Sequence, residues 1–340
     1  MKNLDLITMG EIMLRLISVN QERIARGSLF QKEAGCAELN VAAAASFLGL
    51  NTALISKIPE NEIGFFVRNS VRSFGVSDRY LLADERPDAR LGVYYCENGA
   101  YPRKPKVVYD RKNSSIHSFK VSELPEQIFT ETRCFHTSGI MLALSEHVRA
   151  CTRELIKRFR ASGALISFDV NYRANLWSGE EAAFHIRETL PYVDYLFCSA
   201  DTARLTFHKE GDRKLVLQSF TEEFPNLKAV ICPERTVHSP KLHSFSSSIY
   251  ESEQDRFIQS EPYRQIDIID RIGSGDAFVA GVLYGLLTDR SDLKRALRYG
   301  DAMCAVKCTI PYDIAVTGKK EIDALIAEHL SGGACLELSR

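Results

Sequence analysis

Four consecutive residues, Gly-Ser-Gly-Asp at 273–276, combine types that suit the transfer of an anionic group. The apolar residues after them recur at helical spacing, so the glycine-rich turn is predicted to lead directly into a helix. The first amides of a helix lack intrahelical partners, and the helix dipole adds partial positive charge there. A carboxylate at Asp276 would repel a phosphate unless its task is to accept a proton. The combination therefore predicts phosphoryl transfer, in which Asp276 faces the attacking hydroxyl group.

A plainer interpretation of these residues is turn chemistry, with Asp276 as the N-cap of the helix. The stretch is not a dinucleotide-binding fingerprint, because Phe278 stands where the third glycine is required. Nor is it a P-loop, because no Gly-Lys-Ser/Thr sequence follows. From these residues alone, the anion site and the structural cap both stay open.

The elements that must position this turn alternate between strands and helices along most of the chain. Such alternation predicts an α/β fold with a mostly parallel sheet and helices on both faces. Between 90 and 118 the alternation is interrupted by two strands of period two. From their residues alone these strands favour an exposed sheet face, and a small β lid formed by 13–37 and 88–117 is predicted once a family resemblance of the chain is added. The α/β domain is predicted to comprise 1–12, 38–87 and 118–340.

Three stretches of the chain have weaker patterns. Residues 266–269 are predicted to end a buried strand that leads into the turn. Residues 20–33, which lie within the predicted lid, are polar with few periodic signals. The serine-rich residues 244–248, together with 251–259, predict an irregular hairpin region.

The composition is that of an ordinary globular protein, with 340 residues, 45% hydrophobic and 26% charged. A net charge of -1 without a basic block gives a nucleic-acid partner no electrostatic support. No apolar run approaches the ~20 residues of a membrane span, and the N-terminus does not resemble a signal peptide. The nine cysteines are scattered without a Cys-x-x-Cys pair. This predicts reduced thiols, a cytoplasmic location and no metal site built from cysteine and histidine.

The stretch DRIGSGDAF at 270–278 resembles the D-T-x-G-A-G-D signature of the ribokinase-like (pfkB) carbohydrate kinases. The resemblance implies a three-layer α/β/α sandwich and transfer of a phosphoryl group from ATP, with Mg²⁺, to an alcohol. The last aspartate of the family signature is the catalytic base, and the two glycines frame the anion hole. Those roles fall on Asp276, Gly273 and Gly275, with Ser274 between the glycines. Arg271 and Ser274 depart from the family's Thr and Ala.

Further stretches resemble the 2-keto-3-deoxygluconate kinases of this family. Residues 34–42, AGCAELNVA, are similar to the sugar-binding G-G-A-E-x-N-V-A, with a cysteine at the second glycine. In these kinases two tyrosines and an arginine of the lid hold the sugar acid. The sequence DVNYR at 169–173 ends a predicted strand and places an arginine where a carboxylate could be bound bidentately. The residues at these substrate positions are Gly35, Cys36, Asn40, Tyr94, Tyr109, Arg111 and Arg173.

The nucleotide side departs from the family pattern. Ser199 and Thr202 stand where the family often has N-x-x-E, whose acidic residue helps to order magnesium. We expect magnesium to be bound through the nucleotide phosphates, with no direct protein ligand assigned. Residues 307–310 resemble the family's adenine-side and cation-loop region, which raises a monovalent cation as a further cofactor. The residues assigned to the nucleotide are Ser199, Arg235, Gly273 and Gly275.

These features together predict an ATP-dependent kinase that phosphorylates 2-keto-3-deoxygluconate at its 6-hydroxyl group. Two alternatives stay open: a kinase of a neutral sugar such as fructose or ribose, favoured by Cys36, and a non-catalytic sugar-binding relative. Ser199 and Thr202 favour the second. The exposed edges and apolar face of the lid strands predict a homodimer formed through the lid.

Overall fold

The computed structural model describes residues 2–99 and 102–332. The strands in these ranges are β1 (Leu4–Met9), β2 (Met13–Ser18), β3 (Phe30–Gly35), β4 (Thr52–Pro59), β5 (Leu81–Asp84), β6 (Gly92–Glu97), β7 (Lys106–Asp110), β8 (Thr132–Ser138), β9 (Leu165–Asp169), β10 (Tyr195–Phe197), β11 (Ala229–Ser239), β12 (Leu242–Glu251), β13 (Arg256–Gln259) and β14 (Tyr263–Asp267). The α-helices in the same ranges are α1 (Ala37–Phe47), α2 (Glu62–Ser73), α3 (Ile128–Glu131), α4 (Gly139–Ala143), α5 (Glu146–Ala161), α6 (Gly179–Arg187), α7 (Ala200–Phe207), α8 (Arg213–Glu223), α9 (Ser274–Thr288), α10 (Leu293–Cys308) and α11 (Lys319–Ser331).

The central sheet has the strand order β13-β12-β11-β10-β9-β8-β1-β4-β5, and β14 pairs with β12. Neighbouring strands from β11 to β5 are parallel. The pairs that β12 makes with β11, β13 and β14 are antiparallel. The mostly parallel sheet that the alternating pattern predicts is therefore confirmed.

Successive residues of the central strands pack on opposite faces of the sheet, as strand geometry requires. Leu6 of β1 packs with α1, α9 and α10, where Phe278 is fully buried. Its neighbour Ile7 packs on the other face with helices α5 to α8, where Phe159 is fully buried. Two helical layers thus enclose the sheet, which gives the ribokinase-like three-layer sandwich.

A second sheet, the lid sheet, has the order β3-β2-β6-β7. Strands β2 and β6 are parallel, whereas the two outer pairs are antiparallel. On its inner face Met13 and Tyr94 pack with Ile272 of the glycine-rich turn. The lid sheet and the predicted anion site are therefore in direct contact.

One local prediction was wrong, and another was correct only in part. Strand β14 ends at 267 and is largely exposed, and Ile269 beyond it is 66% exposed, so no buried strand leads into the turn. The serine-rich stretch and 251–259 do form a hairpin, of β12 and β13. The strand β12 is, however, ten residues long and largely buried, and its pairing with β11 and β14 contains register shifts. Residues 30–35 form β3, an edge strand with exposed polar side chains. Strands β12 and β3 have low hydropathy, which made them hard to predict from the sequence. Pairing within a sheet, rather than apolar content, orders them.

The fold brings several chain segments to one edge of the central sheet. Strands β1, β8, β9 and β10 are parallel, so their carboxyl ends lie side by side. Ligands of open α/β sheets bind at such an edge. Within the described ranges, no helix has the length and apolar character needed to cross a membrane.

Candidate active site

The glycine-rich turn forms an anion-binding helix N-terminus. Gly273 is the N-cap of α9 and has a left-handed backbone, with φ of +82°. The Ser274 amide donates to the Arg271 carbonyl oxygen at 3.2 Å. In the part of the chain that the structure describes, the amides of Gly275 and Asp276 have no hydrogen-bond partner. The Gly275 and Asp276 amides are therefore available to an anion, whereas the Ser274 amide is not.

Three arginines near this helix end lie close enough to one another to interact electrostatically. Arg173, Arg235 and Arg271 form no ion pair with any residue of the described ranges. Burial lowers the pKa of Arg271, and the nearby Arg235 and Arg173 lower it further, while Asp270 opposes them. Like charges brought together in this way are stabilised when an anion binds between them. The arrangement favours a phosphorylated ligand.

Asp276 lies in the first turn of α9, where it accepts a hydrogen bond from Asn40 Nδ2 at 2.8 Å. Burial raises the pKa of Asp276 to about 7, and the charges of Asp169 and Glu38 contribute to the increase. The Asn40 hydrogen bond and the Arg173 charge act in the opposite direction. An acid with a pKa near neutrality is suited to general-base catalysis, because it is both ionised and basic at working pH.

Two further carboxyl groups accompany Asp276. Burial raises the pKa of Asp169 to about 6. Burial also raises the pKa of Glu38, which accepts hydrogen bonds from Ser138 Oγ at 2.6 Å and Cys36 Sγ at 3.2 Å. The Cys36 thiol is thus buried against Glu38, instead of lying open to a ligand.

The lid residues that the sequence assigns to the substrate are brought together, but two already have partners. Tyr94 and Tyr109 are opposite each other on β6 and β7, and their rings stack at 5.8 Å. The Tyr94 hydroxyl donates to Asp313, and Gly35 packs closely against that hydroxyl. Arg111 forms a largely buried ion pair with Glu11, to which its Nε donates at 2.9 Å. Tyr109, which is 40% exposed, is the most accessible of the lid residues assigned.

Arg173 follows the carboxyl end of β9, after Asn171, whose φ is +39°. The side chain is exposed and donates to the carbonyl oxygen of Tyr172 at 3.1 Å. The left-handed residue turns the chain across the sheet edge, so that Arg173 acts electrostatically on both Asp276 and Asp169. Its charge is available to a ligand that lies beside Asp276.

The Ser199 and Thr202 side chains bond to each other. Ser199 is the N-cap of α7, accepting from the Thr202 amide at 3.2 Å and donating to Thr202 Oγ1 at 2.9 Å. Within the described ranges, no group of three or more His, Cys, Asp or Glu side chains is arranged to hold a metal ion.

Several residues of the site gave no recognisable sequence signal. Glu11 and Asp313 partner Arg111 and Tyr94, yet each lies far from its partner in sequence. Lys307, at the end of α10, would be expected in solvent but is fully buried. Asp169 could have been found, because it begins the DVNYR stretch that ends a strand.

The chain is similar to known proteins along most of its length. Residues 3–317 match the family described as pfkB family carbohydrate kinase. The 2-dehydro-3-deoxygalactonokinase of Haloferax volcanii is 33% identical, over 95% of this chain and 96% of its own. The 2-dehydro-3-deoxygluconokinase of Bacillus subtilis is 27% identical, over 92% and 91%. The crystal structure of 2-dehydro-3-deoxygluconokinase from Thermotoga maritima superposes with a TM-score of 0.89 at 32% identity, covering 95% of this chain and 99% of that one.

Proposed function

Because this chain belongs to the pfkB family of carbohydrate kinases, we propose that it transfers the γ-phosphoryl group of ATP to the 6-hydroxyl group of 2-keto-3-deoxygluconate. Membership of this family makes the chain a phosphotransferase with an alcohol group as acceptor. The observation that carries the proposal is Asp276 in the first turn of α9, with Arg173, Arg235 and Arg271 nearby and none of them in an ion pair within the described ranges.

Different residues of the site have different roles in the proposed phosphoryl transfer. Asp276 accepts the proton of the attacking hydroxyl group, and Asn40 fixes the orientation of its carboxylate. The amides of Gly275 and Asp276 donate to the oxygens of the phosphoryl group during transfer. Arg235 and Arg271 balance the negative charge of the phosphates. In a loose transition state the catalytic contribution is mainly this positioning and charge stabilisation.

Magnesium fits this site through the nucleotide rather than through protein carboxylates. The family's acidic position is filled by Thr202, whose hydroxyl is already bonded to Ser199. The phosphate oxygens would therefore hold the ion, which neutralises charge on the β- and γ-phosphates when it is bound.

Two observations support a sugar acid as the acceptor. Arg173 places a cationic, exposed group beside the proposed base, where it can bind the substrate carboxylate. The ring of Tyr94, on which Tyr109 stacks, packs with Ile272 of the glycine-rich turn. We propose that 13–37 and 88–117 act as one unit that covers the substrate during transfer.

The C4 epimer, 2-keto-3-deoxygalactonate, is a second candidate acceptor. The relative from Haloferax volcanii, whose name refers to the galacto acid, is 33% identical to this chain. A neutral sugar receives less support, because Cys36 is buried against Glu38 and its thiol does not reshape an open pocket. A coupled assay of ADP release with both acids, fructose and ribose tests the proposal. Turnover of a neutral sugar without turnover of either acid would refute it.

We expect Arg173→Ala to raise the KM for the sugar acid by about 10–150-fold, because a charge-assisted hydrogen bond contributes roughly 1.5–3 kcal/mol. The KM for ATP should change little. Arg235→Ala is the matched variant and should instead raise the KM for ATP. Steady-state kinetics with each substrate varied in turn measures both effects. If both variants raised the same KM, the assignment of Arg173 to the acid would be wrong.

We expect the protein to be a homodimer through the outer face of the lid sheet. On this face Leu14, Leu16, Val93 and Tyr95 are only partly buried, and Val108 of the edge strand is 41% exposed. An apolar face beside an unpaired strand edge favours pairing with a second copy. Light scattering at micromolar concentration should give twice the chain mass, and Val108→Lys should shift it toward the monomer. A wild-type protein of monomeric mass would contradict this expectation.

A further inference from the structure

Lys307, in the last turn of α10, is the most deeply buried cation of the described chain, with a side chain that is 0% exposed. Lysine side chains are almost never fully buried unless they are paired. Its Nζ donates to the carbonyl oxygen of Asp270 at 2.9 Å and to that of Ile310 at 3.2 Å. The ammonium group thus joins two loops through backbone oxygens.

The surroundings of Lys307 form a buried charge cluster of Arg15, Asp270, Lys307 and Asp313. Arg15 Nη2 donates to the Asp270 carboxylate at 2.8 Å, and its other terminal nitrogen pairs with Asp313. Burial lowers the pKa of Lys307, while Asp270 and Asp313 oppose that decrease. Two carboxyl groups face two cations in the cluster. Without the Lys307 ammonium group, one carboxylate would lack a compensating charge in a buried place.

This cluster holds the backbone from which the anion site is built. Asp270 directly precedes the glycine-rich turn, and its Oδ1 accepts from the Ile272 amide at 3.0 Å. On the other side, the Asp313 carbonyl oxygen lies so close to Gly273 that a Cβ there would be 1.8 Å away. Lys307 binds the loops that carry both contacts. A displacement of either loop would move the amides that receive the phosphoryl group.

The sequence resemblance implies a monovalent cation in the loop that follows α10. Such ions bind backbone carbonyl oxygens, which replace their hydration shell. At this place two carbonyl oxygens already accept from the Lys307 ammonium group, a compact point charge. The residues present therefore do not fit an added monovalent cation.

We propose that the Lys307 ammonium group takes the place of an activating monovalent cation, so that phosphoryl transfer by this enzyme requires neither potassium nor sodium. Lys307 acts as a positioning residue, since it holds the turn and does not touch the reacting atoms. The inference rests on the kinase activity of the proposed function, but it does not depend on which sugar is the acceptor.

The first experiment uses the wild-type enzyme. Turnover is measured at constant ionic strength in potassium, sodium, ammonium or tetramethylammonium chloride, with an acceptor found in the assay of sugar acids and neutral sugars. We expect rates that agree within about twofold across the four salts. Activation by potassium over tetramethylammonium of tenfold or more would overturn the proposal, and so would a smaller but saturable activation.

Two variants then separate charge from packing. Lys307→Ala removes the charge and leaves space, so turnover in tetramethylammonium should fall by about 10–100-fold. Potassium or ammonium should restore it with a saturable dependence. Lys307→Met removes the charge but fills the space, so its loss should not be restored by any salt. A folded Lys307→Ala protein that keeps wild-type turnover, or that no small cation rescues, would overturn the proposal.

Folding is followed by thermal melting in the same salts. A Lys307→Ala protein that melts higher in potassium than in tetramethylammonium, unlike Lys307→Met and the wild type, supports the proposal. If neither variant folds, the proposal is judged from the turnover of the wild type in the four salts alone. If no acceptor is phosphorylated, the proposed function fails, and the inference is judged from the effect of potassium on wild-type and variant melting with ATP.

Discussion

Asp276→Asn should lower turnover by about 10²–10⁴-fold while nucleotide binding survives. The asparagine keeps the size of the side chain at the start of α9 but cannot accept the hydroxyl proton. ATP binding should be retained, because a carboxylate that repels the γ-phosphate has been removed. Steady-state turnover and calorimetric titration with ATP measure the two effects separately. A variant that keeps most of its turnover, or that loses ATP binding together with turnover, would identify Asp276 as a structural N-cap.

The raised pKa of Asp276 predicts a pH dependence of activity that the wild type has and Asp276→Asn lacks. Because burial raises the pKa to about 7, the ionised base disappears as the pH falls through neutrality. The kcat/KM of the wild type should therefore decrease below about pH 7, approaching tenfold per pH unit. The residual activity of Asp276→Asn should lack this dependence. Asp169, with a pKa raised to about 6, would affect the profile at lower pH in both proteins.

The folding stability of Asp276→Asn, compared with that of the wild type at two pH values, tests whether the variant is correctly folded. A carboxyl group whose folded-state pKa is raised from 3.8 to about 7 holds its proton more tightly in the folded protein than in the unfolded one. Folding stability is therefore lost as the pH rises between these two values. Asp276→Asn removes the loss, so it should be more stable than the wild type at pH 8, by roughly 1–3 kcal/mol. At pH 4 the two proteins should melt at nearly the same temperature.

The predictable part of the site is the part encoded locally. The turn at 273–276 and the helix after it depend on neighbouring residues, so residue types and spacing sufficed to place an anion site there. Asn40 reaches Asp276 across 236 positions of sequence. The resemblance assigns Asn40 to the substrate instead, since spacing within a chain carries no information on such a contact.

The buried charge cluster was not predictable for the same reason. Arg15 is separated from Asp270 by 255 positions and from Asp313 by 298. Lysine in the last turn of a helix normally interacts with the dipole in solvent, which is the expectation that Lys307 contradicts. The serines of β12 predict an irregular hairpin, and the long pairing with β11 that helps to bury them was not predictable from those residues.

Replacing each of the two glycines of the turn by alanine should affect stability and activity differently. Gly273 has φ of +82°, and an added Cβ would lie 1.8 Å from the Asp313 carbonyl oxygen. Gly273→Ala therefore forces the turn away from the loop after α10, in addition to about 1–2 kcal/mol of backbone strain.

We expect Gly273→Ala to lower the melting temperature and to reduce turnover by about 10²–10³-fold, because the displaced turn no longer aims its amides at the phosphoryl group. At Gly275 no described atom lies within 4 Å of an added Cβ, and φ is not in the left-handed region. Gly275→Ala should keep or slightly raise the melting temperature, since alanine favours the helix by up to about 1 kcal/mol. Its methyl group enters the space in front of the free amides, so the KM for ATP should rise. Equal losses of stability in the two variants would show that the contact with Asp313 does not set the position of the turn.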